Sequence, residues 1–453
     1  MKKVITFIRF FLIEEEKRTI IFRVEILSLI FFFIAVLGLI LSVLFKPSFS
    51  IGKKSISCFY FLPLLMAILM LCFSIVPLSK VKESFFSSDS INPLKILLLF
   101  FSMTSLSIYL DQRGFFSYLA EVFSSHINHS QFLLFYGLYF LISLLTVFTS
   151  NDIIILTFTP FLILFCERNH IDPIPYLVME FVASNTWSMV FIIGNPTNIY
   201  LASAFHLSFF TYFKNMILPT VCTSLVSLGI MTLLFYRKLK EKSVPDKREI
   251  TKPKMVPVTV GLSLLLITTV LLSVSSYLGI EMYFVAVSAA ILLLCFSFVY
   301  SLVTKENQVL PLMKALPWNL IPFMLSMFIL VLGVENTGLY QNLKNQLLTS
   351  EPTYTYGLSS ALASNLINNI PMSVFYQPLL IGADTKALYA TILSSNVSAF
   401  LTPLGALAGM MWMKLVKEHG IRMNCLIFMK YTLIIGIPSL LVGLTAIHFL
   451  TIA

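Results

Sequence analysis

The sequence predicts an all-α membrane protein with about ten transmembrane helices and two re-entrant hairpins, arranged as two inverted-topology repeats. Three observations predict it. The 453 residues are 58% hydrophobic and only 11% charged. Long apolar runs recur along the whole chain. Three sets of polar residues appear in the same order in both halves.

Composition alone excludes most soluble classes. A soluble domain carries about 25% charged residues, and a soluble chain of mean hydropathy +0.90 would expose far more apolar surface than water tolerates. A lipid bilayer removes that conflict. The net charge of +10 would suggest nucleic acid in a soluble protein. Here the basic residues sit in short segments between apolar runs, where they fix topology, so no nucleic-acid partner is expected. Six scattered cysteines without CxxC spacing read as buried small hydrophobes.

A membrane-crossing helix needs about 20 apolar residues. Runs 24–45, 58–77, 94–110, 216–236, 256–277, 281–303, 318–334 and 426–450 meet that need. Four further stretches, 131–166, 176–202, 356–381 and 387–413, are apolar but interrupted by polar residues and proline. Non-helical backbone is not tolerated against lipid, so such breaks must face protein or a water-filled cavity. In secondary transporters they hold substrate and coupling ion.

The halves match in three places. Ser102-Met103, Asp111 and Gly114 precede Ser326-Met327, Glu335 and Gly338 by 224 residues. Asn151, Pro160 and Phe161-Leu162 precede Asn369, Pro378 and Leu379-Leu380 by 218. Ser184-Asn185 and Gly194 precede Ser395-Asn396 and Gly405 by 211. Each half then reads as three spans, a hairpin, a broken span and a final span. Five crossings per half invert the second half relative to the first. The expected organisation is an interfacial N-terminal segment 1–23 that is not a cleaved signal, a first repeat 24–236, a basic linker 237–255 and a second repeat 256–453. Lysine and arginine density places the linker in the cytoplasm; the basic N-terminal segment runs counter to that bias.

The breaks define the candidate substrate and ion site. The first, Thr149-Ser150-Asn151-Asp152, suits a hairpin tip exposing free helix ends. Asp152 is an acid in apolar context, expensive unless paired or hydrated, and therefore a functional candidate. The plainer reading is a helix cap. The second break joins Ser184, Asn185 and Thr186 to Gly194, Asn195, Pro196, Thr197 and Asn198. The second half offers Asn365, Asn368, Asn369, Asn396 and Thr402. These groups are amides and hydroxyls with one carboxylate, Asp152, and no Lys or Arg. Arginine is the natural clamp for a multivalent anion, so the set favours a neutral or weakly charged solute, or a cation. Asp111 and Glu335 at matching span ends read as interfacial acids or gating groups. No metal site, cofactor or P-loop motif is present in the sequence, and HExxH is absent, so an embedded enzyme is a distant alternative.

At these residues the chain resembles a known family. Thr149–Asp152 followed by Leu156-Thr157-Phe158-Thr159-Pro160 is similar to the first hairpin of arsenite efflux permeases. Ile193 through Asn198 resembles the break of the wider ion transporter superfamily, which includes sodium/proton antiporters and citrate or dicarboxylate carriers. Ser364 through Met372, and Leu401 through Ala408 with Trp412, resemble second-half motifs of the arsenite permeases. The stretch Val397–Phe400 and the bulky Trp187 depart from that pattern. The resemblance implies alternating access in the cytoplasmic membrane, with arsenite or antimonite efflux coupled to protons. A sodium-linked or carboxylate carrier is the alternative. It also suggests a homodimer and leaves open an ATPase subunit, of which the chain itself holds no motif.

Overall fold

The computed structural model describes residues 22–42, 48–51, 54–86, 92–126, 130–241, 252–275, 277–335, 337–348 and 351–451. The expected interfacial segment 1–23 lies outside them except for its last two residues. So does the middle of the basic linker, 242–251.

The described residues are overwhelmingly helical. In the first half the helices are α1 (Phe22–Ser42), α2 (Phe61–Cys72), α3 (Leu78–Phe86), α4 (Pro93–Gln112), α5 (Phe115–His126), α6 (Gln131–Phe148), α7 (Asn151–Arg168), α8 (Pro173–Trp187), α9 (Pro196–Ala204) and α10 (Phe209–Leu239). In the second they are α11 (Met255–Ser275), α12 (Met282–Thr304), α13 (Val309–Ala315), α14 (Leu320–Val334), α15 (Gly338–Leu348), α16 (Pro352–Ile367), α17 (Asn369–Leu380), α18 (Thr385–Val397), α19 (Leu407–Glu418) and α20 (Cys425–Phe449). The sheet among the described residues is a short antiparallel ribbon of β1 (Ser48–Ile51) and β2 (Lys54–Ser57).

Eight segments among the described residues are long and apolar enough to cross a membrane. They are α1, α4, α6, α10, α11, α12, α20 and the stretch Val309–Val334, which turns at Pro317 between α13 and α14. The run 58–77 yields only the 12-residue α2. At 1.5 Å per residue that is about 18 Å, short of a hydrocarbon core of about 30 Å. The helix stops because Ser74 adopts φ 53° and Pro77 follows. The cysteines are free, and Cys166 is the buried one; the other five are at least partly exposed, against the sequence expectation.

Two compact units are present, and each draws on both sequence halves. The first comprises residues 1–88 and 318–350. In it α2 packs along α14, with Phe59 edge-on to Phe323 at 5.1 Å and Phe85 edge-on to Phe328 at 5.4 Å. Lys80 pairs with Glu335. A cavity of about 390 Å³, lined by Glu25, Ser28, Val76, Lys80, Gly333 and Thr337, lies in this unit.

The second unit comprises residues 89–317 and 351–453. Its lipid-facing surface is apolar: Leu225, Leu233, Val270, Leu302 and Leu426 are all more than half exposed. No hydrophobic gain separates helix from lipid here, so packing and hydrogen bonds hold the helices together. At its centre, α8 is buried continuously from Pro175 to Thr186 and α18 from Ala387 to Val397. Both are mostly apolar or small, as enclosed helices are, and the larger polar residues they bury, Glu180 and Asn185 of α8 and Asn396 of α18, bond to neighbouring elements. Outside the membrane span, Lys254 pairs with Glu306 and holds its carboxyl below the usual carboxylate range.

Candidate functional site

Every residue expected at the site belongs to the second unit, and the helices there are interrupted within 176–202 and 387–413. After α8 the chain turns through Ser188–Phe191 into a 3₁₀ turn, Ile192–Gly194, before α9. After α18 it passes through another, Ser398–Phe400, before α19. Both breaks require a glycine. A Cβ on Gly194 would lie 2.2 Å from the Ser188 carbonyl oxygen, and one on Gly405 would lie 2.2 Å from the Ser398 carbonyl oxygen. No side chain fits either position.

Asn396, at the end of α18, joins the two breaks. Its carboxamide oxygen accepts from Ser188 Oγ at 2.9 Å and Asn195 Nδ2 at 3.0 Å. Its Nδ2 donates to Asn198 Oδ1 at 2.7 Å and to the Ile392 carbonyl at 2.8 Å. Asn195 Oδ1 caps α9 by accepting from the Thr197 backbone N–H and hydroxyl, both at 3.1 Å. The Thr197 hydroxyl also lies 3.0 Å from Ser395 Oγ. Asn198 Nδ2 donates to the Ser188 carbonyl at 2.8 Å. The cluster is buried, and its amides satisfy one another, as buried polar groups must.

The turn before α17 is tied to the second break. Asn368 adopts φ 74° and ψ 153°, a costly conformation for a residue with a Cβ. Its Nδ2 donates to the Leu404 carbonyl at 3.1 Å. The Asn369 backbone N–H donates to the Gly405 carbonyl at 3.0 Å, and its Nδ2 reaches the Ser395 carbonyl at 3.4 Å. Thr402 donates its hydroxyl to Asn365 Oδ1 at 2.7 Å.

The turn before α7 is different. Asn151 Nδ2 donates to Asn185 Oδ1 at 3.0 Å. Its own Oδ1 has no partner, and neither has the Thr186 hydroxyl one residue beyond Asn185. Ser150 is the N-cap residue but makes no side-chain cap bond. Asp152 is therefore not a cap: it stands second in α7, in the first turn, where the helix dipole favours a negative charge. Among the described residues it has no hydrogen bond or ion pair. No Lys or Arg bonds to either turn or to the amide cluster among the described residues. Ser364, one turn before Asn368, and Ser394 also keep unpartnered hydroxyls.

The same unit holds a second buried carboxylate that the sequence reading passed over. Glu180, in the middle of α8, is fully buried. Trp412 Nε1 of α19 donates to it at 3.1 Å, and the Thr159 hydroxyl of α7 lies 3.2 Å from both carboxyl oxygens. Its signal in the sequence is an acid inside the apolar run from Tyr176 to Ser184, the same signal that exposes Asp152. The matching acids Asp111 and Glu335 have different partners. Asp111 accepts from the Thr157 hydroxyl at 2.6 Å, whereas Glu335 pairs with Lys80. Trp187 donates to Tyr139 at 3.3 Å, which fixes its ring against α6.

The profile of the family described as "CitMHS: Citrate transporter" matches residues 61–388, which is most of the chain. The chain belongs to the CitMHS family. It is also 25% identical over 375 residues to the arsenical pump membrane protein of Escherichia coli, covering 77% of this chain and 84% of that protein. The arsenical pump membrane protein of Yersinia enterocolitica is 25% identical over 378 residues, with the same coverage. Among solved structures, the YdaH transporter of Alcanivorax borkumensis superposes with a TM-score of 0.55 at 15% identity. That match covers 93% of this chain and 97% of the other, and it shows the fold. The protein is thus a multi-pass membrane transporter of this family.

Proposed function

We propose that this transporter exports arsenite or antimonite in exchange for protons, by alternating access, with Asp152 as the coupling acid. One observation supports the reading most: at the turn before α7 the Asn151 carboxamide oxygen has no partner, and among the described residues no hydrogen bond, ion pair or cation reaches the Asp152 carboxylate beside it. Arsenous acid is uncharged at neutral pH and needs hydrogen-bonding groups rather than a guanidinium clamp. A citrate anion would call for Arg or Lys. The names of the Escherichia coli and Yersinia relatives agree with an arsenical substrate.

In this reading the turns before α7 and α17 are the tips of two hairpins. The halves 24–236 and 256–453 are inverted repeats, and the molecule works as a homodimer. The substrate contacts Ser150, Asn151, Asp152, Asn185 and Thr186. The Asn195, Thr197, Asn198, Asn368, Asn369, Asn396 and Thr402 groups close the site and exchange partners as it opens. The family's printed description favours a second reading, citrate transport.

Both readings meet one experiment. Everted vesicles from an arsenite-sensitive host are given arsenite or citrate under imposed pH or sodium gradients. Accumulation of arsenite that collapses with a protonophore is the expected result. Citrate uptake without arsenite uptake would overturn the reading, and sodium dependence would replace the proton.

A further inference from the structure

Glu180 has no role in the site as described above, yet it is fully enclosed and lies between two elements from opposite halves. Among the described residues its carboxyl receives only neutral donors, the Trp412 indole N–H and the Thr159 hydroxyl. An ionised carboxylate away from water is costly by several kcal/mol unless a cation or a full set of donors compensates it. Charged groups on the elements packed against α8 lie elsewhere. On α7, Asp152 is half-buried in the first turn, and Glu167 and Arg168 are exposed at the far end; Lys214 and Arg237 are exposed on α10. Lys414, Lys417 and Glu418 are exposed on α19, and Lys430 on α20. Lys386 of α18 donates to the His448 carbonyl, and Lys238 pairs with Asp172. The nearby titratable neutral groups are also accounted for. Tyr139 bonds Ser224, Tyr389 accepts from Asn215, Tyr176 donates to Gln131, while Cys166 and Tyr212 are enclosed and bond no cation among the described residues.

The geometry fits a protonated acid. A proton on Oε1 would be donated to Thr159 Oγ1 across the 3.2 Å contact, while Oε2 accepts from Trp412 at 3.1 Å. The indole is itself held between Phe181, with ring centroids 5.2 Å apart, and Phe428 at 5.4 Å. Trp412 stands two turns beyond the second break, on α19, so any movement at 401–406 moves the donor relative to α8. Along α7, Thr159 is seven residues after Asp152. That spacing is two turns on one face, about 10 Å along the axis.

We propose that Glu180 is a second proton-binding site of the transport cycle. It holds a proton while Trp412 and Thr159 enclose it. It releases that proton to water when α19 withdraws the indole. The proton leaves the carboxyl oxygen and the carboxylate is then solvated, so charge balances without a further reactant. Its transport consequence rests on the proton-coupled reading above; its protonation does not.

Infrared difference spectroscopy of the purified full chain in proteoliposomes, titrated with pH, tests it. The expected spectrum at neutral pH contains the carbonyl band of a protonated carboxylic acid that Glu180→Gln removes. Trp412→Phe, which deletes the N–H donor and keeps an aromatic ring, is expected to move that band to higher frequency. If Glu180→Gln fails to fold, the Trp412→Phe shift still decides the question. A protonated-acid region unchanged by these variants overturns the proposal. In transport, Glu180→Gln is expected to lose proton-driven accumulation and to show residual flux without the wild-type pH profile. A wild-type profile overturns the coupling role. Absence of arsenite flux in the wild type with the Glu180 band present would sink the substrate reading and leave the proton site standing.

Discussion

The turn before α7 and the turn before α17 hold matching places in the two halves, and they differ in what their polar groups are doing. Before α17, Asn368 and Asn369 are bonded to the backbone of Leu404, Gly405 and Ser395. Before α7, Asp152 has no bond among the described residues, and Asn151 Oδ1 has no partner. A saturated turn is a structural fastening, because its donors and acceptors are already consumed. A turn with open acceptors is stable only if water or a ligand completes them. The two turns thus differ in how far their polar groups are satisfied, and the neutral turn is the one that is closed.

Substitutions can break that comparison. The largest expected loss of stability comes from Gly405→Ala. Its methyl would meet a backbone oxygen, so the break must deform, at about 3 kcal/mol or more; loss of the monodisperse folded peak in detergent is the readout. Asn396→Ala comes next. It leaves Asn195 Nδ2 and Asn198 Oδ1 buried without partners, each costing about 1–3 kcal/mol, and a clear drop in thermal stability is expected. Hydroxyl removal sharpens the contrast with smaller effects. Thr402→Val deletes the bond to Asn365 and should cost about 1 kcal/mol. Thr186→Val deletes a hydroxyl with no partner, so its stability should stay within about 0.5 kcal/mol of wild type, while substrate affinity falls. Equal destabilisation by the two Thr substitutions would show that the Thr186 hydroxyl is bonded after all.

Much of this architecture is written in local pattern. The apolar runs mark the helices, and Pro196 with Gly194 and Pro403 with Gly405 mark the breaks, because proline and glycine act on their own backbone. Asp152 stands out because an acid in an apolar run violates the composition around it. Glu180 violates it equally, and its partners Thr159 and Trp412 lie 21 and 232 residues away, so no local pattern states its role. The amide cluster escapes for the same reason. Asn195, Asn198 and Asn396 each read as a free ligand in sequence, since only the fold brings residues about 200 positions apart into mutual bonding. Nor does local hydropathy reveal that each compact unit is drawn from both halves, because that depends on which helices pack together.

The central claim is that the open acid, and not the closed amides, couples transport to protons. Proton movement into proteoliposomes during arsenite flux, followed with an internal pH dye for wild type and Asp152→Asn, tests it most directly. The account predicts that the variant remains folded and loses substrate-driven proton movement. Wild-type proton movement in Asp152→Asn would contradict it.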